Sequence, residues 1–404
     1  MLAIHLSLAA LAVTALATRP RSNWSAAVVA SIAVLELSLG ASGASAITVV
    51  GPVIAFLTAA MTLAAIATHS GLANRAALAL AAAARGHAAA LYVLTCLLCS
   101  LMTAVISLDG AVVLMVPIVL ALHRQHDAAL APLLLGVVGV ANAASIAVPQ
   151  GNPTNLVLIN HLHLSPLGFT SRMLIPGAVA TLVCVIAVAL LERRSLRDRY
   201  RRPELRPTPL SGEQRRALMM LAVAALVAWS LPLAGIQPWW PFAGVAVLAL
   251  PVTRAWSMTR PGGPREPDAW LPRAPLVVVP WRIAVQIAGL VVIAGAIGIH
   301  PPHHSDATLP ILLAVAVGTG AAAAVAGNLP TSVWAASLLS AGPVALAAAA
   351  GLAVGALAAP QGSVATLIAA DLAGPGAPRL SARSLAPVAL TALIAATMAM
   401  RALL

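Results

Sequence analysis

Apolar residues run along this chain in long blocks, separated by short stretches rich in Arg, Pro, Gly and His. A helix needs about 20 apolar residues to cross a bilayer. Blocks that predict spans lie at 2–17, 24–40, 47–68, 127–161, 172–191, 217–234, 241–252, 283–299, 345–370 and 385–400, the short 241–252 drawing on its flanks. Two more, 88–122 and 307–342, are too long for one span, and each has a polar break: Ser107-Leu108-Asp109-Gly110 and Gly327-Asn328-Leu329-Pro330. Each is either two spans or a hairpin that enters and leaves on one side. The pattern predicts an all-α polytopic membrane protein.

Composition sharpens this reading. Of 404 residues 61% are hydrophobic and 8% charged, against about 25% charged in a soluble domain. A soluble fold of this size is therefore excluded, and so is disorder, which needs low hydrophobicity. The 23 basic residues, all Arg, outnumber 11 acids and leave a net charge of +12. In so apolar a chain this excess marks cytoplasmic loops rather than a nucleic-acid surface. The expected surroundings are the lipid bilayer of the plasma membrane. Cys96, Cys99 and Cys184 all lie in apolar runs and have no metal-ligand spacing with His, so no cofactor or metal is expected. The first 18 residues lack a basic leader and read as a first span.

Arginines set the orientation. Nine of them, from Arg193 to Arg216, crowd a Pro-containing stretch at 192–216, which is placed in the cytoplasm as a linker between a first repeat, 1–191, and a second, 217–404. Arg254, Arg260, Arg265, Arg273 and Arg282 put the loop 253–282 on the same side, so 217–252 is an outward hairpin turning at Gln237-Pro238-Trp239-Trp240. Arg19, Arg21, Arg75, Arg85 and Arg124 fall inside if 88–122 begins and ends there, and Arg379 and Arg383 do so if 307–342 begins and ends outside. Each half then has five full spans plus one re-entrant hairpin, and the odd number inverts the second half, as in many secondary transporters. The segment 71–87 is read as a helix lying on the inner surface.

The halves also share a signature. Pro149-Gln150-Gly151 and Pro360-Gln361-Gly362 stand 211 residues apart (150 to 361), each interrupting a span; the hairpin breaks at Asp109 and Asn328 stand 219 apart. Pro removes a backbone donor and Gly permits non-helical geometry. Irregular backbone survives at bilayer depth only where protein buries it or it lines a wet cavity. Freed carbonyls suit cations, and half-helix N-termini suit anions or polar solutes. The candidate binding set is Ser107, Asp109 and Gly110 at the first hairpin, and Asn142, Ser145, Gln150, Gly151, Asn152, Thr154 and Asn155 at the first broken helix. The second half adds Asn328, Pro330 and Thr331, then Gln361, Gly362, Ser363 and Thr366.

Only Glu36 and Asp109 among the acids lie inside apolar blocks. A charge near the bilayer centre costs at least ~2.5–3.5 kcal/mol, so each is a functional candidate. Asp109, at a hairpin tip, is the expected proton-coupling residue. Glu36 lies in a plain helix near the outer surface. His300, His303, His304 and Asp306 cluster in an outer loop, and His161 and His163 follow the first broken helix; neither group is placed in the site.

Ala104 to Val119 around Ser107-Leu108-Asp109-Gly110-Ala111 resembles the hairpin motif of arsenite-efflux membrane subunits, usually Ala-Asn-Asp-Gly-Ala. Asn142 to Ser145 with Gly151 to Asn155, Asn328-Leu329-Pro330-Thr331 and Gly362 to Leu367 resemble the other elements of that family's site, in the same order over nearly the whole chain. Its superfamily includes divalent-anion symporters and sodium/proton antiporters. The resemblance implies a two-repeat fold with substrate between hairpin tips and broken helices. It implies export of arsenite or antimonite, small inorganic solutes, driven by proton exchange or by a soluble ATPase partner. The alternative is a cation-coupled symporter of divalent organic or inorganic anions, with sodium or a proton as coupling ion. Leu108 stands where Asn is usual, Asn142 where an acid is frequent, and Gly327 where the second hairpin has Asn. A homodimer is left open. An intramembrane enzyme is disfavoured: there is no second acid near Asp109, no His-Glu pair on a helix, and no nucleophile beside a base.

Overall fold

The apolar blocks become helices in the computed structural model, which describes residues 2–19, 22–202, 209–230, 244–245, 247–248, 281–297, 308–374 and 376–404. The outward turn at 237–240, most of 241–252, the loop 253–280 and the His300–Asp306 cluster lie outside the described residues. In the first half come α1 (Leu2–Thr18), α2 (Asn23–Ser38), α3 (Ala44–His69), α4 (Leu72–Ala83), α5 (Ala88–Val105), α6 (Leu108–His126), α7 (Leu130–Ala144), α8 (Pro153–His161) and α9 (Pro166–Leu191). The second half has α10 (Gly212–Ser230), α11 (Trp281–Ile297), α12 (Leu309–Ala326), α13 (Asn328–Leu338), α14 (Pro343–Ala353), α15 (Val364–Ala373) and α16 (Ala382–Leu403). Among the described residues there is no strand, and seven helices are long and apolar enough to cross a membrane. The chain is an all-α polytopic membrane protein.

Helix α9 shows how the bundle is held. Phe169, Met173, Gly177, Ala180, Cys184 and Val188 are buried at helical spacing, while Leu174, Ile175, Leu182, Ile186 and Leu190 are exposed large hydrophobics on the other faces. The buried stripe packs on α7 and α16. Small residues let membrane helices approach closely. A Cβ at Gly139 would come within 2.6 Å of Cys184 Sγ, and Cys184 and Val388 both border that glycine. Cys184 on α9 and Val388 on α16 therefore meet at one glycine of α7.

Several boundaries shift for local reasons. Helix α9 starts at Pro166, six residues before the predicted 172, because the Ser165 hydroxyl caps the Gly168 N–H and Pro takes the first position, where a missing donor is harmless. Helix α10 starts at Gly212, not 217, because Ser211 and Gln214 form a reciprocal capping box: Gln214 N–H donates to Ser211 Oγ (3.1 Å) and Ser211 N–H to Gln214 Oε1 (3.1 Å). Helix α4 replaces the inner part of the predicted 71–87 helix and buries Ala73, Ala77 and Ala81, packing on α6.

Elements from the two halves pack reciprocally. Helix α6 packs on α15, as α13 packs on α8; α1 packs on α11, as α10 packs on α3; α9 packs on α16. The ends of the first hairpin share one side, because Ala88 N–H donates to Asp198 O (3.4 Å), Tyr200 N–H to Gly86 O (3.2 Å) and Arg201 N–H to His126 O (2.8 Å).

Glu36 has a partner that its sequence context concealed. It is fully buried, with Oε2 2.6 Å from Nδ1 of His5 on α1. Two helices are thereby joined by an acid–base pair whose acid is buried and whose histidine is half-buried, a structural role for the second intramembrane acid. Removing one partner of such a pair costs about 3–5 kcal/mol, because the other is left buried. The His5→Ala variant is expected to lose thermal stability in detergent by that order, and His5→Gln, which keeps a donor, by less. Equal melting of wild type and His5→Ala would show that the pair carries no stability.

Candidate functional site

Both broken helices follow a similar path. Helix α7 runs into a 3₁₀ turn at Ser145–Ala147, Val148 is extended (φ −138, ψ 151), Pro149–Gly151 make a second turn, and Asn152 is extended (φ −141, ψ 132) before α8 resumes. In the second half α14 gives way to a 3₁₀ turn at Gly355–Ala358, Ala359 is extended (φ −130, ψ 146), and Ser363 (φ −119, ψ 132) precedes α15. Gly151 N–H donates to Val148 O (3.1 Å) and Gly362 N–H to Ala359 O (3.0 Å). The glycines are obligatory for a matched reason. A Cβ on Gly151 would lie 2.4 Å from Ser145 O, and one on Gly362 2.1 Å from Ala356 O. In each break the chain folds back onto the carbonyl six residues upstream, and only hydrogen fits between.

The first break is buried except at the half-buried Ala147, and it is rich in amides. Asn155 Nδ2 donates to Ser145 O (2.9 Å) and Val148 O (3.0 Å), two carbonyls freed by the break. Asn152 Nδ2 donates to Ser145 Oγ (3.2 Å), and its Oδ1 caps the Thr154 N–H (3.0 Å). Asn142 Nδ2 donates to Val138 O (2.8 Å) and Ser145 Oγ to Asn142 O (2.8 Å). Donors are thus spent on the backbone, while oxygens are left over. Asn142 Oδ1, Thr154 Oγ1 and Asn155 Oδ1 in the first break, and Ser363 Oγ and Thr366 Oγ1 in the second, are buried without a hydrogen-bond partner among the described residues. Each costs about 1–3 kcal/mol in that state, and all five are neutral oxygens of the kind that hard cations take as ligands.

The hairpin tips are locked to these breaks. Gln150 Nε2 donates to Ala104 O (3.2 Å) at the end of α5, and Asn328 N–H donates to Gly362 O (2.8 Å). Both tips turn through one residue of positive φ, Ser107 (φ 150, ψ 171) and Gly327 (φ 90, ψ 149). This region is unstrained for glycine and costs a serine ~1–3 kcal/mol. Ser107 recovers part of that by accepting a bond from the Gly110 N–H (3.2 Å). The tip residue also corrects the sequence register. Ser107 matches Gly327, so Asn328 is opposite Leu108, not opposite Asp109. Helix α6 resumes at Leu108, which puts Asp109 and Gly110 in its first turn, buried, rather than in the break itself.

Of the predicted set, Ser107, Asp109 and Gly110 therefore share one tip, and Asn142, Ser145, Gln150, Gly151, Asn152, Thr154 and Asn155 share the first break. Asn328, Thr331 and the half-buried Pro330 form the second tip against Gln361, Gly362, Ser363 and Thr366. Thr331 Oγ1 donates to Gly327 O (2.8 Å), which makes it a brace of the tip. A cavity of about 60 Å³ borders this second tip, with Gly327, Pro330 and Gln361 on one side and Leu16 and Gln286 on the other. Gln286 escaped the sequence reading. It is buried, donates to Ser25 Oγ (3.2 Å), and its only signal was a lone amide inside an apolar span. Four half-helices, α6, α8, α13 and α15, begin at these tips and breaks, and their N-terminal dipole ends favour negative charge.

A sequence model of the citrate transporter family matches residues 3–395 of the chain.

The glycine contacts carry a direct test. Gly151→Ala and Gly362→Ala each press a methyl into a backbone carbonyl that cannot move without reopening the break. Each is expected to lower solute uptake into proteoliposomes at least ~tenfold, while Gly376→Ala, whose added Cβ meets nothing within 4 Å and whose φ is not positive, serves as the control at a loop glycine. Uptake at the wild-type rate by either break variant would show that the folded-back geometry is dispensable.

Proposed function

The chain belongs to the citrate transporter family, and from that premise we propose that it carries a di- or tricarboxylate of the citrate class across the membrane together with a cation. It is a multi-pass membrane transporter and not an enzyme. The family match supports the divalent-anion branch of the superfamily. Arsenite export, which the sequence resemblance put first, has no support from it, and symport takes its place.

One observation carries this reading: the five buried neutral oxygens at the two breaks, beside four half-helix N-termini. At neutral pH a tricarboxylate carries about three negative charges. None of the candidate residues is an arginine, so the anion is held by helix dipoles, backbone N–H groups and hydroxyls. Dipoles alone do not offset moving a multiply charged anion out of water, since even one charge at bilayer depth is costly. Cations seated on Asn142, Thr154 and Asn155, and on Ser363 and Thr366, compensate that charge and let the anion enter only in their company. Coupling follows from this charge balance. Asp109, in the first turn of α6, is the proposed proton-accepting member of the set.

The two halves, 1–191 and 217–404, are read as inverted repeats around this site, with the linker 192–216 in the cytoplasm and the protein in the plasma membrane. The Pro-Gln-Gly breaks 211 residues apart (150 to 361) and the reciprocal packing of α6 on α15 and α13 on α8 support that reading. Two copies of a hairpin-and-break unit, opening to opposite sides, give alternating access to one midplane site.

Labelled citrate uptake into proteoliposomes tests the proposal. Uptake is expected to rise with an inward sodium or proton gradient and to be absent without both, and Asp109→Asn is expected to remove the proton-driven part at least ~tenfold. Uptake indifferent to both gradients would overturn the coupling. Exchange of arsenite for protons in the same vesicles, with no citrate uptake, would restore the export reading.

A further inference from the structure

The transport site does not use the most highly charged surface of the chain, the segment that follows α9. Between Glu192 and Arg202 stand Arg193, Arg194, Arg197, Arg199, Arg201 and Arg202 against two acids, Glu192 and Asp198, and all six arginines are exposed. The stretch is not a loose tail. Residues 195–197 form a 3₁₀ turn, and 198–201 lie across both ends of the first hairpin. Asp198 O accepts from Ala88 N–H (3.4 Å), Tyr200 N–H donates to Gly86 O (3.2 Å), and Arg201 N–H donates to His126 O (2.8 Å). Tyr200 is buried, and its hydroxyl donates to Ala81 O on α4. The backbone and the one aromatic face the protein, and the guanidinium groups face outward.

Position fixes what they face. Leu190 and Leu191, the last residues of α9, are exposed by 66% and 47%. On a membrane helix these are lipid-facing side chains, so the arginines begin where α9 leaves the hydrocarbon, at headgroup level. Guanidinium groups bind phosphate in a two-pronged fashion, and basic clusters immediately beside a membrane helix attract anionic leaflets. Holding six of them on a hydrogen-bonded backbone removes part of the ordering cost of binding.

We propose that residues 193–202 form a binding surface for anionic lipid headgroups, strapped across the open end of the first hairpin. The strap ties α4, α5 and α6 to the membrane surface, so headgroup binding steadies the base of the hairpin whose tip carries Ser107 and Asp109. An acidic soluble protein has the same charge but no reason to meet the chain at headgroup depth beside exposed leucines.

The test uses the full chain in phosphatidylcholine vesicles containing a minority of phosphatidylglycerol. The lipid shell that stays with the protein after mild extraction is quantified by mass spectrometry. Wild type is expected to retain phosphatidylglycerol well above its bulk fraction. A basic residue near an anionic leaflet multiplies binding about fivefold, so the six Arg→Gln variant is expected to lose at least ~tenfold of that enrichment. Arg172→Gln, an exposed arginine toward the other end of α9, is expected to retain it. If the six-fold variant does not yield folded protein, the wild type decides alone: its enrichment falls as salt is raised. A wild type without enrichment, a variant that keeps it, equal loss in Arg172→Gln, or enrichment indifferent to salt would each overturn the proposal, and the first would leave an acidic protein as the occupant.

Discussion

Everything in this structure depends on one constraint: inside hydrocarbon a backbone N–H or C=O has to be satisfied by the protein itself. Two helices are nevertheless broken in the middle. The breaks survive because each folds back onto its own upstream turn, Gly151 against the Ser145 carbonyl and Gly362 against the Ala356 carbonyl. Side chains add to what the turns satisfy: Asn155 bridges the Ser145 and Val148 carbonyls, and Gln150 reaches the end of α5. A helix interrupted without these contacts would expose several polar groups to lipid and would not hold.

The site follows from how that constraint is met. Amide N–H₂ groups are spent on the backbone, which leaves amide and hydroxyl oxygens facing inward at Asn142, Thr154, Asn155, Ser363 and Thr366. The same breaks create helix starts, with their positive dipole ends. One structural solution thus supplies both unpaired oxygens and helix N-termini at the breaks, and among the described residues no arginine is buried. The two breaks share a backbone path but not a polarity: the first is amide-rich and the second hydroxyl-bearing.

Much of the fold was legible along the chain. Block lengths and the absence of Lys and scarcity of acids located the membrane segments, and Pro-Gln-Gly marked both breaks before any geometry was known. Other features hid for identifiable reasons. The starts of α9 and α10 moved by several residues because Ser165-Pro166 and the Ser211–Gln214 box extend helices into polar sequence, where hydropathy has no signal. Asp109 and Asn328 looked equivalent because both are polar residues in a break. The positive φ at Ser107 and Gly327 shows that they are one residue out of register. Gln286 and the His5–Glu36 pair were invisible because each is a lone polar group in an apolar helix, given meaning only by a distant helix.

By itself, the sequence determined the class of protein, the number of interruptions and the residue types available at them, because hydrophobic length, Pro and Gly act locally. It also held the repeat, since the same backbone trick demands the same glycine twice. Which polar atoms are spent on hydrogen bonds and which are left unpaired was decided only in three dimensions. The choice depends on where freed carbonyls end up relative to side chains several residues away, or, for Gln150 and Ala104, 46 residues away. The family was likewise beyond the local pattern: a hairpin motif that resembles arsenite exporters stands in a chain of the citrate transporter family.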